Sequence, residues 1–302
     1  MPELPEVETI KKGLKKVLIG KKIKAIKILS KKQVQGRANL LIGKKIKGVE
    51  RRAKILIFSF NQKKADDKIF LVVHLKLSGQ LVYERKNQKA TLLNLKGLNK
   101  YKQSGLVVGG HPGRNYLDQL PNRYTRIILS FAAGANLYFN DLRKFGWFKI
   151  VNETEMEKIK KSYGPEAINI SVEELKKIIA TAKGPRIKQL LLDQTQIAGL
   201  GNIYTDESLF CAKINPFRLT RSIKPIETAR LAKCVKKVLK LSLKHGGTSE
   251  QFYRDIEGQI GTFGRVAKVY RRTGQTCERC HHRIETKKIG GRSTHFCPNC
   301  QK

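Results

Sequence analysis

Apolar residues return at Val7, Ile10, Leu14, Val17 and Leu18, the spacing of a helix with one buried stripe, so the chain is expected to open on a helix. From Ile23 to Phe148 the pattern shortens to β-branched and aromatic runs separated by Gly, Asn and Lys. The runs are Ile23–Leu29, Ile46–Phe60, Ile69–Leu77, Gln80–Glu84, Thr125–Phe131, Asn136–Asn140 and Gly146–Val151, and their spacing predicts a β-sandwich. Arg85–Arg123 shows no clear period and is too long for a hairpin loop, so a mobile, poorly ordered surface excursion is expected there. Beyond the Ser-Tyr-Gly-Pro break at Ser162–Pro165, helical spacing resumes over Val172–Ala182, Ile187–Gln194, Gly201–Cys211 and Ile226–Leu243. Val266–Tyr270 again looks strand-like. The expected plan is α+β: a β-sandwich domain with a leading helix over 1–151, a hinge over 152–165, a helical domain over 166–259 and a small cysteine-bearing module over 260–302.

Composition changes this picture by adding a partner. Of 302 residues, 62 are Lys or Arg and 24 are Asp or Glu, a net charge of +38, and a surface of that sign attracts polyanions. Nucleic acid and an anionic membrane both qualify, as does a lysine-rich background with no partner at all. The basic residues run through the whole length instead of lying in one juxtamembrane tract, which favours nucleic acid. No apolar run approaches the roughly 18 residues that span a bilayer. The opening Met-Pro-Glu-Leu-Pro-Glu-Val-Glu does not resemble a secretory signal, and a cytoplasmic, monomeric protein is expected.

Four of the six cysteines form two Cys-x2-Cys pairs, Cys277 with Cys280 and Cys297 with Cys300. Two such pairs around a short hairpin suit a closed tetrahedral site of four thiolates, with one structural zinc ion the leading reading and a redox dithiol or an iron–sulfur centre the alternatives. Cys211 and Cys234 stand alone in helical-looking sequence, which suits a reducing compartment. At the other end, removal of Met1 would expose the secondary amine of Pro2. An N-terminal amine titrates near 7.7–8.0, low enough to be a usable nucleophile, and Glu3 could manage its protons. In isolation the same residues could simply start a helix.

The Met1–Ile10 segment MPELPEVETI resembles the N-terminal signature of formamidopyrimidine-DNA glycosylases. Four further segments agree in order: ERRAKILIF around Lys54, VHLKLSGQL around His74, NDLRKFGW around Arg143 and AGLGNIYTDESLF around Asn202. The Tyr270–Cys300 tail is similar to that family's zinc finger. The resemblance implies a two-domain repair enzyme with a helix–two-turn–helix element, acting on double-stranded DNA that carries oxidised bases or abasic sites. It implies that Pro2 forms a Schiff base, that Glu3 protonates the deoxyribose ring oxygen, and that Lys54 lies near the lesion and serves β-elimination. Arg272 would grip the phosphates flanking the lesion and assist δ-elimination. Leu77, Arg143 and Phe145 would fill the helix where the base is extruded, with Leu77 standing where methionine is common. His74, Tyr124, Lys183 and Asn202 would contact DNA, Tyr124 replacing a residue that is usually histidine; Lys188 is a neighbouring candidate. The loop capping an extruded purine is expected within Phe252–Arg265. Two other readings stay open: an endonuclease VIII-type enzyme for oxidised pyrimidines, and a zinc ribbon that binds nucleic acid without catalysis.

Overall fold

The computed structural model describes residues 2–61, 68–85, 120–248 and 261–302, together with the backbone of 106–110. Two compact units divide the chain: Met1–Lys160 with Gly246–Gly261, and Lys161–His245 with Thr262–Lys302. Most of the expected excursion, 86–105 and 111–119, lies outside the described residues, as does 252–260 of the expected capping loop.

In the first unit, helix α1 (Leu4–Leu18) starts with Pro5 in its first turn and ends on Lys15 and Lys16, which complement its dipole. Ten strands follow: β1 (Ile23–Ile28), β2 (Val34–Gln35), β3 (Ile46–Arg52), β4 (Ile55–Phe60), β5 (Ile69–His74), β6 (Gly79–Glu84), β7 (Leu106–Gly110), β8 (Thr125–Phe131), β9 (Asn136–Asp141) and β10 (Trp147–Asn152). They form two five-stranded sheets, ordered β1-β8-β9-β6-β7 and β2-β10-β5-β4-β3. All pairs are antiparallel except β2 with β10. One core is shared by α1 (Val7, Ile10, Leu14), the first sheet (Leu81, Ile127, Phe139) and the second (Leu56, Phe58, Val73, Phe148). This is the sandwich the alternating runs foretold.

Two local expectations are corrected, and the expected hinge, inside which the two units divide, gains a helix. Ile46–Phe60 is not one run: it breaks at Ala53 (φ 51°), whose left-handed backbone turns β3 into β4 although no glycine marks the place. The stretch expected to be a hinge carries a helix, α2 (Glu153–Lys161), with Met156 fully buried. Leu106–Gly110, inside the stretch read as lacking regular order, pairs with β6 as a strand.

In the second unit, α3 (Val172–Thr181), α4 (Ile187–Leu192), α5 (Asn202–Cys211) and α6 (Pro225–Lys244) precede the hairpin β11 (Glu285–Ile289)–β12 (Arg292–Phe296). Ser171 and Glu174 cap α3 reciprocally, each side chain accepting the other's backbone N–H. Every residue from Ile203 to Phe210 is buried, so α5 is enclosed on all sides. Ser242 of α6 donates to Tyr204 of α5 at 2.6 Å. Cys211 and Cys234, expected as separate thiols, are joined as a disulfide between α5 and α6, with Cα atoms 5.7 Å apart. Val266–Tyr270 is not a strand. The backbone N–H groups of Lys268, Val269 and Tyr270, which a sheet partner would need, all donate to the buried Glu207 carboxylate at 2.8–3.0 Å. Among the described residues no helix is long and apolar enough to cross a membrane.

Candidate active site and nucleic-acid interface

Pro2 and Glu3 lead directly into α1, and both are buried. Glu3 is the N-cap and donates its backbone N–H to Glu6 Oε2 at 2.9 Å. Glu6 spends its other oxygen on the Thr248 N–H at 2.7 Å. A Cβ at Gly247 would come within 2.8 Å of that carboxylate, so glycine is required there both by space and by its φ of 89°. Glu8, on the next turn, is bound by Lys11 at 2.6 Å and Arg51 at 3.0 Å. Burial works against its charge, yet the two cations hold the carboxyl below its ordinary range. Arg51 also donates to the Ala53 carbonyl at 2.8 Å. The same guanidinium therefore fastens the β3–β4 turn to α1, and Lys54, 5% exposed, sits directly after that turn.

The strand register places His74 opposite both Ile55 and Trp147, so Lys54, His74 and the start of β10 share one end of the sheet. Burial, then Lys76 and Lys54, press the His74 imidazole down to about 3, and it is neutral at physiological pH. Its Nδ1 accepts the Lys76 N–H at 2.9 Å, which leaves the proton on Nε2 as a donor. A histidine whose folded value lies below its unfolded one binds fewer protons when folded. Stability is complete above about pH 6.5 and falls by up to about 1.4 kcal/mol per pH unit from there toward pH 3. Urea unfolding at pH 7 and pH 4.5 is expected to show that loss, and His74→Gln to reduce it; an unchanged pH difference in the variant would refute the assignment.

Two turns beside this end are tied by a carboxylate that pattern reading missed. Asp141, fully buried, accepts from Ser78, from Gln33 Nε2 at 3.0 Å and from the Gly146 N–H at 2.7 Å. Ser78 in turn accepts the Arg143 N–H at 3.0 Å. Leu77 on one turn and Arg143 and Phe145 on the other are thus held by one polar knot, with Arg143 exposed and Phe145 60% exposed. A lone aspartate at a strand end carries no sequence signal for such a role. Tyr124 is half-buried beneath the Arg123 guanidinium, 4.8 Å from its ring centre.

In the second unit the four cysteine Sγ atoms lie within 4.8 Å of one another, with Cys277–Cys300 at 3.8 Å and Cys280–Cys297 at 3.5 Å. Four thiolates around a tetrahedral zinc at about 2.3 Å stand about 3.8 Å apart, so the set fits one zinc ion and leaves no open position. Such an ion would supply folding energy and no chemistry.

The finger is anchored to α4 and α5 by buried polar groups. Lys188, fully buried, meets Asp206 Oδ1 at 2.6 Å, Thr294 Oγ1 at 2.9 Å and the Ser293 carbonyl at 3.1 Å. Asp206 Oδ2 accepts the His295 N–H at 2.9 Å, and Asn202 donates to the Ser293 carbonyl at 2.9 Å. The N-cap of α5 is Gly201, with Asn202 its first residue. Arg279 covers the Phe210 ring at 4.3 Å. Burial pushes Glu207 above the ordinary carboxylate range against the pull of its three amides. Arg272 is occupied within the finger: it pairs with Glu278 and donates to Gln275 at 3.1 Å and to the Thr276 carbonyl at 3.2 Å. Arg292 stands exposed beside the Gly290–Gly291 turn of the hairpin, and Lys183 is exposed beyond α3.

Comparison with known proteins places these units. Residues 1–148 match the formamidopyrimidine-DNA glycosylase N-terminal domain, 163–254 that enzyme's H2TH domain, and 274–302 a zinc finger found in FPG and IleRS. Formamidopyrimidine-DNA glycosylase of Prochlorococcus marinus strain NATL2A is 37% identical, with all of both chains covered; that of Streptococcus mutans is 32% identical over the same full coverage. Among solved structures, a Lactococcus lactis FPG mutant bound to Fapy-dG-containing DNA has a TM-score of 0.80 at 31% identity, covering all of both chains. The wild-type L. lactis protein with oxidised-pyrimidine-containing DNA has a TM-score of 0.78 at 31% identity, also with full coverage. Matched from end to end by such relatives, this chain belongs to the formamidopyrimidine-DNA glycosylase family.

Proposed function

We propose that this chain excises oxidised purines, 8-oxoguanine and formamidopyrimidines, from duplex DNA and then cuts the backbone at the vacated sugar. The observation that carries the reading is the start of α1: buried Pro2 and Glu3 set by Glu6, in a chain of this glycosylase family. Once Met1 is removed, the neutral Pro2 amine attacks C1′ of the damaged nucleotide while Glu3 gives a proton to the ring oxygen. An N–C1′ bond forms as the glycosidic bond breaks and the base leaves; the amine gives up its proton, and the C1′–O4′ bond opens onto the protonated ring oxygen, leaving an iminium between Pro2 and C1′. Lys54 acts beside it in β-elimination. Leu77 and Phe145 take the place of the extruded base and Arg143 donates to the base left opposite, offsetting an unstacking cost of a few kcal/mol. The Nε2–H of His74 and the side chains of Tyr124, Lys183 and Asn202 meet phosphates. Arg272, held by Glu278 and Thr276 in the free protein, grips the phosphates flanking the lesion and assists δ-elimination, and exposed Arg292 of the same module is a further arginine for phosphate. The work is intracellular and cytoplasmic, on the chromosome.

A second lesion class is favoured by one specific observation: a similar structure holds an oxidised pyrimidine. Single-turnover cleavage of matched duplexes carrying 8-oxoguanine opposite cytosine or an oxidised pyrimidine decides between them. Faster cleavage of the purine duplex is expected, and the reverse order would overturn the purine reading.

A further inference from the structure

We propose that the lysine-rich end of the N-terminal unit, opposite the start of α1, is a second docking surface for the phosphate backbone of duplex DNA. The inference depends on the chain being a DNA-binding protein and not on the chemistry at Pro2. Helix α1 is 15 residues long, so its last turn stands roughly 20 Å from its first. There the chain reverses at Gly20, and Lys21–Lys24 is laid against Lys44–Ile46: Gly20 N–H donates to the Ile46 carbonyl at 2.8 Å, Ile46 N–H to Lys21 at 3.0 Å and Ile23 N–H to Lys44 at 3.0 Å. Ile23 and Ile46 enter the core, 0% and 2% exposed. Because side chains alternate along extended backbone, Lys22 and Lys24 on one segment and Lys45 and Lys47 on the other face solvent, and all four are exposed. Lys22 bridges directly to Lys45. Lys15, on the last turn of α1, adds to the same end.

Like charges set opposite each other across paired segments destabilise them. The acids of this stretch leave the repulsion standing: Glu8 is taken by Lys11 and Arg51, and Glu50, exposed on β3 three residues beyond Lys47, is ion-paired with none of these lysines. None of the five exposed lysines is ion-paired with an acid among the described residues. What relieves such a patch is a polyanion whose condensed counterions are released as its charge is met. Side chains on one face of a strand repeat every two residues, about 6.8 Å. That matches two base-pair steps of about 3.4 Å along one DNA strand. The patch holds no aromatic ring of the kind that seats a protein in a membrane interface; its apolar neighbours are Ile19 and Ile42. A surface of this kind would let the protein hold one duplex segment while its catalytic end is engaged on another, and so pass between segments.

The test compares the full-length protein with the quadruple variant Lys22→Gln, Lys24→Gln, Lys45→Gln, Lys47→Gln. Each is first saturated with a short duplex carrying an abasic analogue, labelled in one colour, and then titrated with an undamaged duplex in a second colour. The wild type is expected to bind the second duplex with a Kd of order 10⁻⁴–10⁻⁶ M, and the variant at least about tenfold more weakly. The slope of log K against log salt should be shallower in the variant by about 3–4, from four lost phosphate contacts at about 0.9 each. Excision of 8-oxoguanine from a separate short duplex should be unchanged. No uptake of the second duplex by the wild type, equal uptake by the variant, or preference for phosphatidylglycerol vesicles over duplex would each overturn the inference. Failure of the first duplex to bind would show in its own colour and count against the proposed function; the two proteins' binding of the second duplex would still decide this one.

Discussion

Borohydride reduction of the Met1-free chain on a duplex with 8-oxoguanine opposite cytosine should fix a covalent protein–DNA adduct whose peptide map places the link at Pro2. Glu3→Gln should lower excision by roughly 10²–10⁴-fold, the usual contribution of a positioned general acid. It should do so without loosening DNA binding, because Glu3 is buried at the N-cap of α1 and the variant keeps the backbone N–H that donates to Glu6. Pro2→Gly presents a primary amine in place of the secondary one, so adduct formation should fall without vanishing. A Met1-retaining form has an amide nitrogen at Pro2 and should form none. Adduct mapped to a lysine, or full excision by Glu3→Gln, would remove the proposed chemistry while leaving family membership untouched.

The second large effect is expected at the finger. Cys277→Ser leaves three thiolates, and structural zinc contributes on the order of 10 kcal/mol of apparent binding free energy, so the variant should lose both zinc and the order of the hairpin. The damage should not stop at the metal. With β12 displaced, buried Lys188 loses the Ser293 carbonyl and the Thr294 hydroxyl while its pair with Asp206 stays, and Asn202 loses its acceptor. A hydrogen bond to a charged group is worth about 1.5–3 kcal/mol, so losing two of them is a large further cost. Zinc release measured with a metallochromic dye, alongside duplex binding by anisotropy, checks the two together. Full duplex affinity in a zinc-free chain would show that the finger plays no part in holding DNA.

The features legible in the sequence are those built from residues close together. The stripe from Val7 to Leu18, the two Cys-x2-Cys pairs and the run before α5 each show within twenty or so positions. The turn at Ala53 was not legible, since an alanine forced into the left-handed region has no compositional mark. Nor was the disulfide, because two cysteines 23 residues apart on different helices meet only once α5 and α6 pack. Polar groups acting over long separations were equally hidden. Asp141 reads as a strand-end residue until Gln33, 108 positions away, reaches it. Glu207 reads as a helical acid until it gathers the amides of 268–270, and in doing so it turns a strand-like stretch into a loop. Lys188, a neighbouring candidate for DNA contact by its place in the sequence, lies fully buried and paired with Asp206, which no local pattern marked.

The bond from Thr248 to Glu6 spans 242 positions, and it bears on how the chain is made. Ribosomes add roughly 5–20 residues per second, so some 12–50 s separate the two partners during synthesis. Throughout that interval the amino end is available for trimming, while the carboxylate that steadies Glu3 still lacks its second ligand. The setting of the reactive terminus is therefore completed only when the return segment arrives. A chain still short of Thr248 carries the amine and Glu6 without the bond that joins the return segment to α1.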